Sequence, residues 1–294
     1  MAVRRITFKT KPEYSMWQHI LDMWLEGERI EIFDGGFLFD HFYPIYGDKT
    51  GPCLEGWTAL SYLAGRTRRI RLGLMVTGVP YRHPAVLAKM AATFDHFSGG
   101  RLDLGLGAGW HEIEANAYGI PLLAIGKRLD QFEEACAVLT ALFERDATTF
   151  DGKHYRLIGA HCEPKPVQKP HPPFLIGGSG EKRMLRIVAR YADDWNFVGG
   201  PVDDFRRKVA VLREHCREIG RDPSAITISC HVVAGAEPNQ TAELAGTFAA
   251  AGAEHLCLYF VDNTRPDLLG PTAQAVAGAV GYRAHAEGPT GGPQ

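Results

Sequence analysis

Short apolar runs rich in β-branched residues alternate along the chain with longer stretches in which apolar side chains recur every three or four positions. That alternation predicts parallel strands joined by crossover helices. About eight such pairs can be counted, with strands expected over residues 6–10, 36–41, 69–77, 101–109, 173–178, 194–199, 225–233 and 255–261. Most of these runs read as continuously apolar, as strands covered on both faces do. The helix after the third run is the most sharply written. His83-Pro84 opens it, Val86, Leu87, Met90, Ala91, Phe94 and Phe97 give it a buried face, and Ser98-Gly99-Gly100 closes it. Over residues 146–172 the period lapses into Gly, Pro, His and Lys, and this excursion is expected to cross one end of the molecule as a lid. The predicted fold class is α/β, a (β/α)8 TIM barrel forming a single domain over residues 1–286. The insertion falls between the fourth and fifth β/α units, and a disordered tail follows over 287–294.

Composition narrows the picture without changing it. A chain of 294 residues that is 45% hydrophobic can bury one large core. Lys and Arg (32) nearly balance Asp and Glu (34), so no nucleic-acid or anionic-membrane partner is implied. Six cysteines without a CxxC pair predict a reduced, cytoplasmic protein. No apolar run reaches the ~18 residues of a membrane span. The twelve histidines form no HExxH, so no metal site is expected.

In a parallel barrel the groups that do chemistry sit where strands end, because the following loops form the open face. The second strand ends in Phe39-Asp40-His41-Phe42, a carboxylate beside an imidazole. Asp40 could orient His41 for proton transfer, although neighbours on a strand point to opposite faces and need not touch. The third ends in Leu74-Met75-Val76-Thr77-Gly78-Val79-Pro80, where the backbone must leave extended geometry sharply. The fourth ends in Gly105-Leu-Gly107-Ala108-Gly109-Trp110. Its GxGxG spacing puts Trp110 where a dinucleotide fingerprint needs its last glycine, which excludes a Rossmann site. Those glycines still let backbone amides approach a ligand, and Trp110 could stack on a flat ring. The fifth strand runs into Gly177-Gly178-Ser179-Gly180 ahead of a helical run, a candidate site for a single phosphate or else a plain tight turn. The frame is wrong for a G-x-S-x-G nucleophile elbow.

Three segments, FLFDHFYPIYG, the stretch from GPCLEGW to EANAYGI and KPVQKPHPPFLIGGSGEKRMLRIVARYADDWN, together resemble the luciferase-like monooxygenase superfamily, specifically its F420-dependent branch. They cover most of the first two-thirds of the chain. The resemblance implies a barrel whose mouth holds a tricyclic (deaza)flavin, coenzyme F420 ahead of FMN, with its phosphate near Gly177, Gly178, Ser179 and Gly180. It implies a non-proline cis peptide between Leu74 and Val76 that buttresses the ring. It also implies that Asp40 and His41 close the second strand with His41 near the reacting face; Trp110 and the backbone of Gly107, Ala108 and Gly109, at the fourth strand's end, are the further candidates there. Sugar-phosphate and alcohol dehydrogenases of this branch place a Trp where Ile45 stands and a Glu where Trp110 stands, which turns the expectation from oxidation toward reduction.

The leading expectation is an F420H2-dependent reductase passing hydride to a C=C, C=N or C=O carbon of a small-molecule substrate, with His41 or solvent supplying the proton. A second is an FMNH2-dependent monooxygenase supplied by a separate cofactor-reducing enzyme. A third is a non-catalytic flavin-binding relative. A homodimer is expected from the resemblance.

Overall fold

Strict inside–outside alternation builds the barrel. In the computed structural model, which describes residues 2–283, the strands in chain order are β1 (Arg5–Lys9), β2 (Gly35–Leu38), β3 (Arg71–Leu74), β4 (Thr77–Gly78), β5 (Leu102–Gly107), β6 (Thr148–Asp151), β7 (Arg156–Ala160), β8 (Phe174–Gly177), β9 (Asp194–Phe197), β10 (Thr227–Ala234) and β11 (His255–Phe260). The helices are α1 (Trp17–Arg29), α2 (Gly56–Arg66), α3 (Pro84–Ser98), α4 (Glu112–Ala117), α5 (Ile125–Glu144), α6 (Met184–Tyr191), α7 (Val202–Glu218), α8 (Pro238–Ala250) and α9 (Leu269–Val280). All strands but β6 and β7 pair in parallel in the order β3-β2-β1-β11-β10-β9-β8-β5-β4, and β3 also pairs with β5, which closes the ring. Since β3 and β4 are two halves of one stave, the result is an eight-stave (β/α)8 barrel, as the sequence predicts. The expected tail over 287–294, and the last residues of the expected domain, lie outside the described residues.

Along β1, Ile6 and Phe8 turn outward into the layer beneath the helices, while Arg5, Thr7 and Lys9 turn into the barrel. Outward-facing Leu, Ile, Phe and Trp side chains from every stave form the main core. The interior is not apolar throughout, which corrects the reading of continuously apolar strands. In β5, Leu102, Leu104 and Leu106 face the helices while Asp103, Gly105 and Gly107 face inward. At the end where the strands begin, Asp103 is held between Arg5 and Arg71, and His255 Nδ1 lies 2.7 Å from an Asp194 oxygen. Above this floor comes an apolar plate of Phe37, Met75, Leu175 and Cys257. The mouth lies above the plate, where the strands end.

The segment over 146–172 follows α5 and precedes β8, and it lies along the helices. It opens as the antiparallel β6–β7 hairpin. The Glu134 carboxylate on α5 accepts from the amides of Lys153, His154 and Tyr155 at the turn. The returning arm then runs along α3, where Lys89 donates to the Glu163 carbonyl and the Gln168 side-chain amide donates to Asp95 and to the Leu102 carbonyl. The segment therefore seals the flank between α3 and α5. Glu134 and Asp95 satisfy backbone amides that a free-standing lid would leave to water.

Candidate active site

His41 sits just beyond β2, 9% exposed, and its orientation comes from a residue far away in sequence. Its Nδ1 lies 2.8 Å from Oε2 of Glu114, a fully buried carboxylate on the short helix α4. Glu114 also accepts from the Tyr81 hydroxyl and, at 2.6 Å, from the Phe42 amide. Burial pushes the Glu114 carboxyl upward, but the hydrogen bonds from His41, Tyr81 and Phe42 outweigh it and hold it below the ordinary value. An ionised Glu114 has no proton to give, so Nδ1 must donate, and Nε2 is the ring nitrogen left for a ligand. The Trp110, His111 and Phe39 rings pack edge-on around the imidazole at centroid distances of 5.6, 5.9 and 5.6 Å. His111 in turn caps α4, its Nδ1 accepting from the Glu114 amide at 3.2 Å, which fixes the helix that carries Glu114.

Asp40 does not orient His41. Its carboxylate turns to Arg82, with Nη1–Oδ2 at 2.5 Å and Nη2–Oδ1 at 3.1 Å. Arg82 also donates to Glu55 at 2.6 Å, and Glu55 caps α2 through the Trp57 and Thr58 amides. Burial drives the Asp40 carboxyl up to about 6 despite the pull of Arg82. Asp40 is thus a tie between the second stave, the loop after the third and the start of α2.

The third stave breaks where expected, at a non-proline cis peptide joining Met75 to Val76. Only two of the three residues singled out there face the interior. Leu74 turns outward into the helix layer, whereas Met75 joins the interior plate with Val76 packed against it. Val76 lies over glycines of the next two staves, β5 and β8. A Cβ on Gly107 would stand 2.6 Å from Val76 Cγ2, one on Gly177 would stand 3.3 Å from Cγ1, and one on Gly105 would meet the Leu74 carbonyl oxygen at 1.8 Å. The barrel wall there is bare backbone with one valine projecting from it, a surface a planar ring could lie against. Ala108 faces the outer core. Gly109 needs its positive φ of 76° and touches Pro80, while Trp110 is 55% exposed at the rim.

After β8 the glycine turn is pinned from below. Trp195 Nε1 donates to the Gly178 carbonyl at 2.8 Å and Lys208 Nζ to the Ser179 carbonyl at 2.9 Å. Gly178 holds φ 115°, open only to glycine. Gly177, Gly178, Ser179 and Gly180 then lead into α6, with the carbonyls of Gly178, Ser179 and Gly180 engaged by the protein.

Sequence reading passed over Glu114, Tyr81 and Arg82. Glu114 had a visible signal, since His111-x-x-Glu114 has the spacing of a helix-capping pair. Position 110 lacks a carboxylate, but Glu114 brings one to the imidazole a turn later. Ile45 contributes backbone alone, its amide donating to Glu13 at 2.6 Å and its carbonyl accepting from Lys49 Nζ.

The structure is thus a (β/α)8 barrel with a held imidazole and a bare glycine wall at its mouth. The model of the luciferase-like monooxygenase family matches residues 17–290, and the chain belongs to that family. It is 34% identical over 188 residues to an uncharacterised protein of Mycobacterium tuberculosis, a match covering 61% of this chain and 64% of that one. The chain therefore spans somewhat less than two-thirds of that relative. It is 30% identical over 216 residues to an FMNH2-dependent dimethylsulfone monooxygenase of Pseudomonas putida, covering 68% of this chain and 58% of the relative. Among solved structures it resembles an F420-dependent secondary alcohol dehydrogenase in complex with an F420–acetone adduct, with TM-score 0.82, 21% identity and coverage of 94% and 99% of the two chains. At that identity the likeness speaks for the fold.

Proposed function

We propose that the chain is an F420H2-dependent reductase acting on an unsaturated small molecule. The observation that carries the reading is the held His41, which offers Nε2 at the mouth while Glu114 keeps Nδ1 engaged. Reduction of C=C, C=N or C=O needs one proton for each hydride, and a fixed histidine can deliver it from Nε2 in its doubly protonated form, with Nδ1 keeping its own proton on Glu114. When bound, the reduced deazaflavin supplies the hydride. The wall of Val76, Gly107 and Gly177 fits a flat ring, and the turn at Gly177, Gly178, Ser179 and Gly180 would take the cofactor's phosphate. Asp40 and Arg82 hold the stave end that carries His41, and the rim around Trp110 and Phe39 limits water.

Titration with F420 tests the reading. Saturable quenching of deazaflavin fluorescence, followed by F420H2 oxidation with a panel of enones, imines and ketones, is the expected result. Tight FMN binding with no F420 quenching would overturn it. The likeness to the dimethylsulfone monooxygenase favours one other reading, an FMNH2-dependent monooxygenase, whose signature is oxygen consumption that depends on added FMNH2.

A further inference from the structure

Lys9 is a largely buried cation held, among the described residues, by aromatic faces alone. It ends β1 with its side chain turned into the barrel, 7% exposed. Its ammonium lies over the Tyr259 ring at 4.8 Å and the Phe39 ring at 5.6 Å. Among the described residues no group hydrogen-bonds it or forms an ion pair with it. Two aromatic faces replace only part of the hydration an ammonium gives up on burial, so a negatively polarised ligand atom is favoured beside it. Its ionisable neighbours are Glu13 from the loop after β1, Cys257 and Tyr259 from β11 and His231 from β10, while β2 presents Phe37 and Phe39.

The same side of the mouth is apolar above the lysine. Lys9, Tyr259 and Val233 are register partners across β1, β11 and β10. Val198, Val233 and Val261, at the ends of β9, β10 and β11, are 62%, 54% and 44% exposed. One buried positive charge beneath a rim of exposed valines is complementary to a molecule with one negatively polarised oxygen and an otherwise apolar body.

We propose that Lys9 anchors the substrate's oxygen, a carboxylate or a carbonyl that gains negative charge in the reaction, and that the rest of the substrate is apolar and lies against Val198, Val233 and Val261. The assignment rests on the mouth being the substrate site of the reductase proposed above. A lysine suits the task because a compact charge on a flexible stem can follow a single oxygen. Burial lowers the Lys9 ammonium to about 8, so it carries its charge at neutral pH and gives it up just above. Burial and the Lys9 charge hold His231 well below the ordinary imidazole value, burial pushes Cys257 up to about 11, and Tyr259 is raised as well, so these three do not titrate with it.

Benzoate, a flat apolar carboxylate, is the probe, added to the full chain without cofactor and followed by calorimetry. Saturable binding is expected, weaker by roughly tenfold or more in Lys9→Met. In the wild type, affinity should fall about tenfold per pH unit above about 8, with no such fall in the variant. A second measurement does not depend on the variant. In wild-type protein carrying 13Cε-labelled lysine, saturating benzoate should raise the Lys9 titration midpoint by about one unit or more. Equal affinity in the two proteins, no saturable binding to the wild type, or an unmoved Lys9 midpoint each overturns the proposal. F420 quenching is read on the same samples. Lost benzoate selectivity with intact quenching condemns the Lys9 anchor alone, whereas absent quenching condemns the F420 reading.

Discussion

His41 can present one defined nitrogen only while Glu114 holds the other. Glu114→Gln keeps the shape but replaces an acceptor pair with one acceptor and one donor. With its oxygen kept on the Phe42 amide, the glutamine NH2 group donates to Tyr81 and to His41 Nδ1, which moves the ring proton to Nε2. With the amide flipped, Nδ1 keeps its proton but the Phe42 amide loses its acceptor, so the imidazole exchanges tautomers. Under the reductase reading, kcat is expected to fall about 10–100-fold with KM little changed, the range seen when orienting partners are removed. Histidine 15N spectra separate this from simple damage. The wild type should show a single tautomer for His41 with Nδ1 protonated, and the variant a mixture. Retention of one tautomer alongside full activity would refute the role. Asp40→Asn acts elsewhere, because it breaks the bidentate tie to Arg82 and leaves the guanidinium with Glu55 alone. Because burial holds the Asp40 carboxyl up at about 6, the fold favours its neutral form, so stability to urea at pH 7 is expected to be unchanged or raised. A loss of about 2 kcal/mol or more would show that the charge tie to Arg82 outweighs burial. At this scale the sequence showed which residues stand at strand ends but not which way they turn. Asp40 and His41 are adjacent, yet one faces Arg82 and the other Glu114, and those partners come from a loop and a short helix 42 and 73 positions away.

Among the elements, the split third stave depends most on its neighbours. A Cβ on Gly105 would stand 1.8 Å from the Leu74 carbonyl oxygen, a backbone atom that cannot rotate away. Gly105→Ala must therefore push β3 and β5 apart. It is expected to cost about 3 kcal/mol or more, lowering Tm by roughly 6–12 °C in a calorimetric scan. Gly107→Ala meets only the Val76 side chain, at 2.6 Å, so it should fold while displacing the valine from the wall. F420 quenching by Gly107→Ala should weaken about tenfold or more with Tm little changed, and undiminished quenching would remove Val76 from the proposed ring site. The staves were legible because hydrophobic runs between turn signals mark them, and all eight fell near their expected residues. The path of residues 146–172 was not, since it is set by the carboxylates Glu134 and Asp95 on two distant helices, which no local pattern ties to the amides they bind.

Over the whole molecule, the floor of the barrel couples stability to pH. Asp103 is buried, which by itself raises its pKa, yet Arg5 and Arg71 outweigh that and bring it down to about 2. A folded value below the unfolded one, near 3.9, means the native state favours the ionised form. The resulting stability is fully present above pH ~4 and is lost as pH falls toward about 2. A shift of roughly two units corresponds to about 2–3 kcal/mol. Three staves share this carboxylate, since Arg5 begins β1, Arg71 begins β3 and Asp103 lies in β5. Asp103→Asn removes the charge and leaves two part-buried guanidinium groups facing each other. At pH 7 it should destabilise the barrel by about 3–5 kcal/mol in urea unfolding. Because protonation does to the wild type what the substitution does to the variant, the gap between them should narrow as pH drops from about 4 toward 2. A gap that stays constant through that window would show that packing at position 103, and not its charge, holds the three staves together.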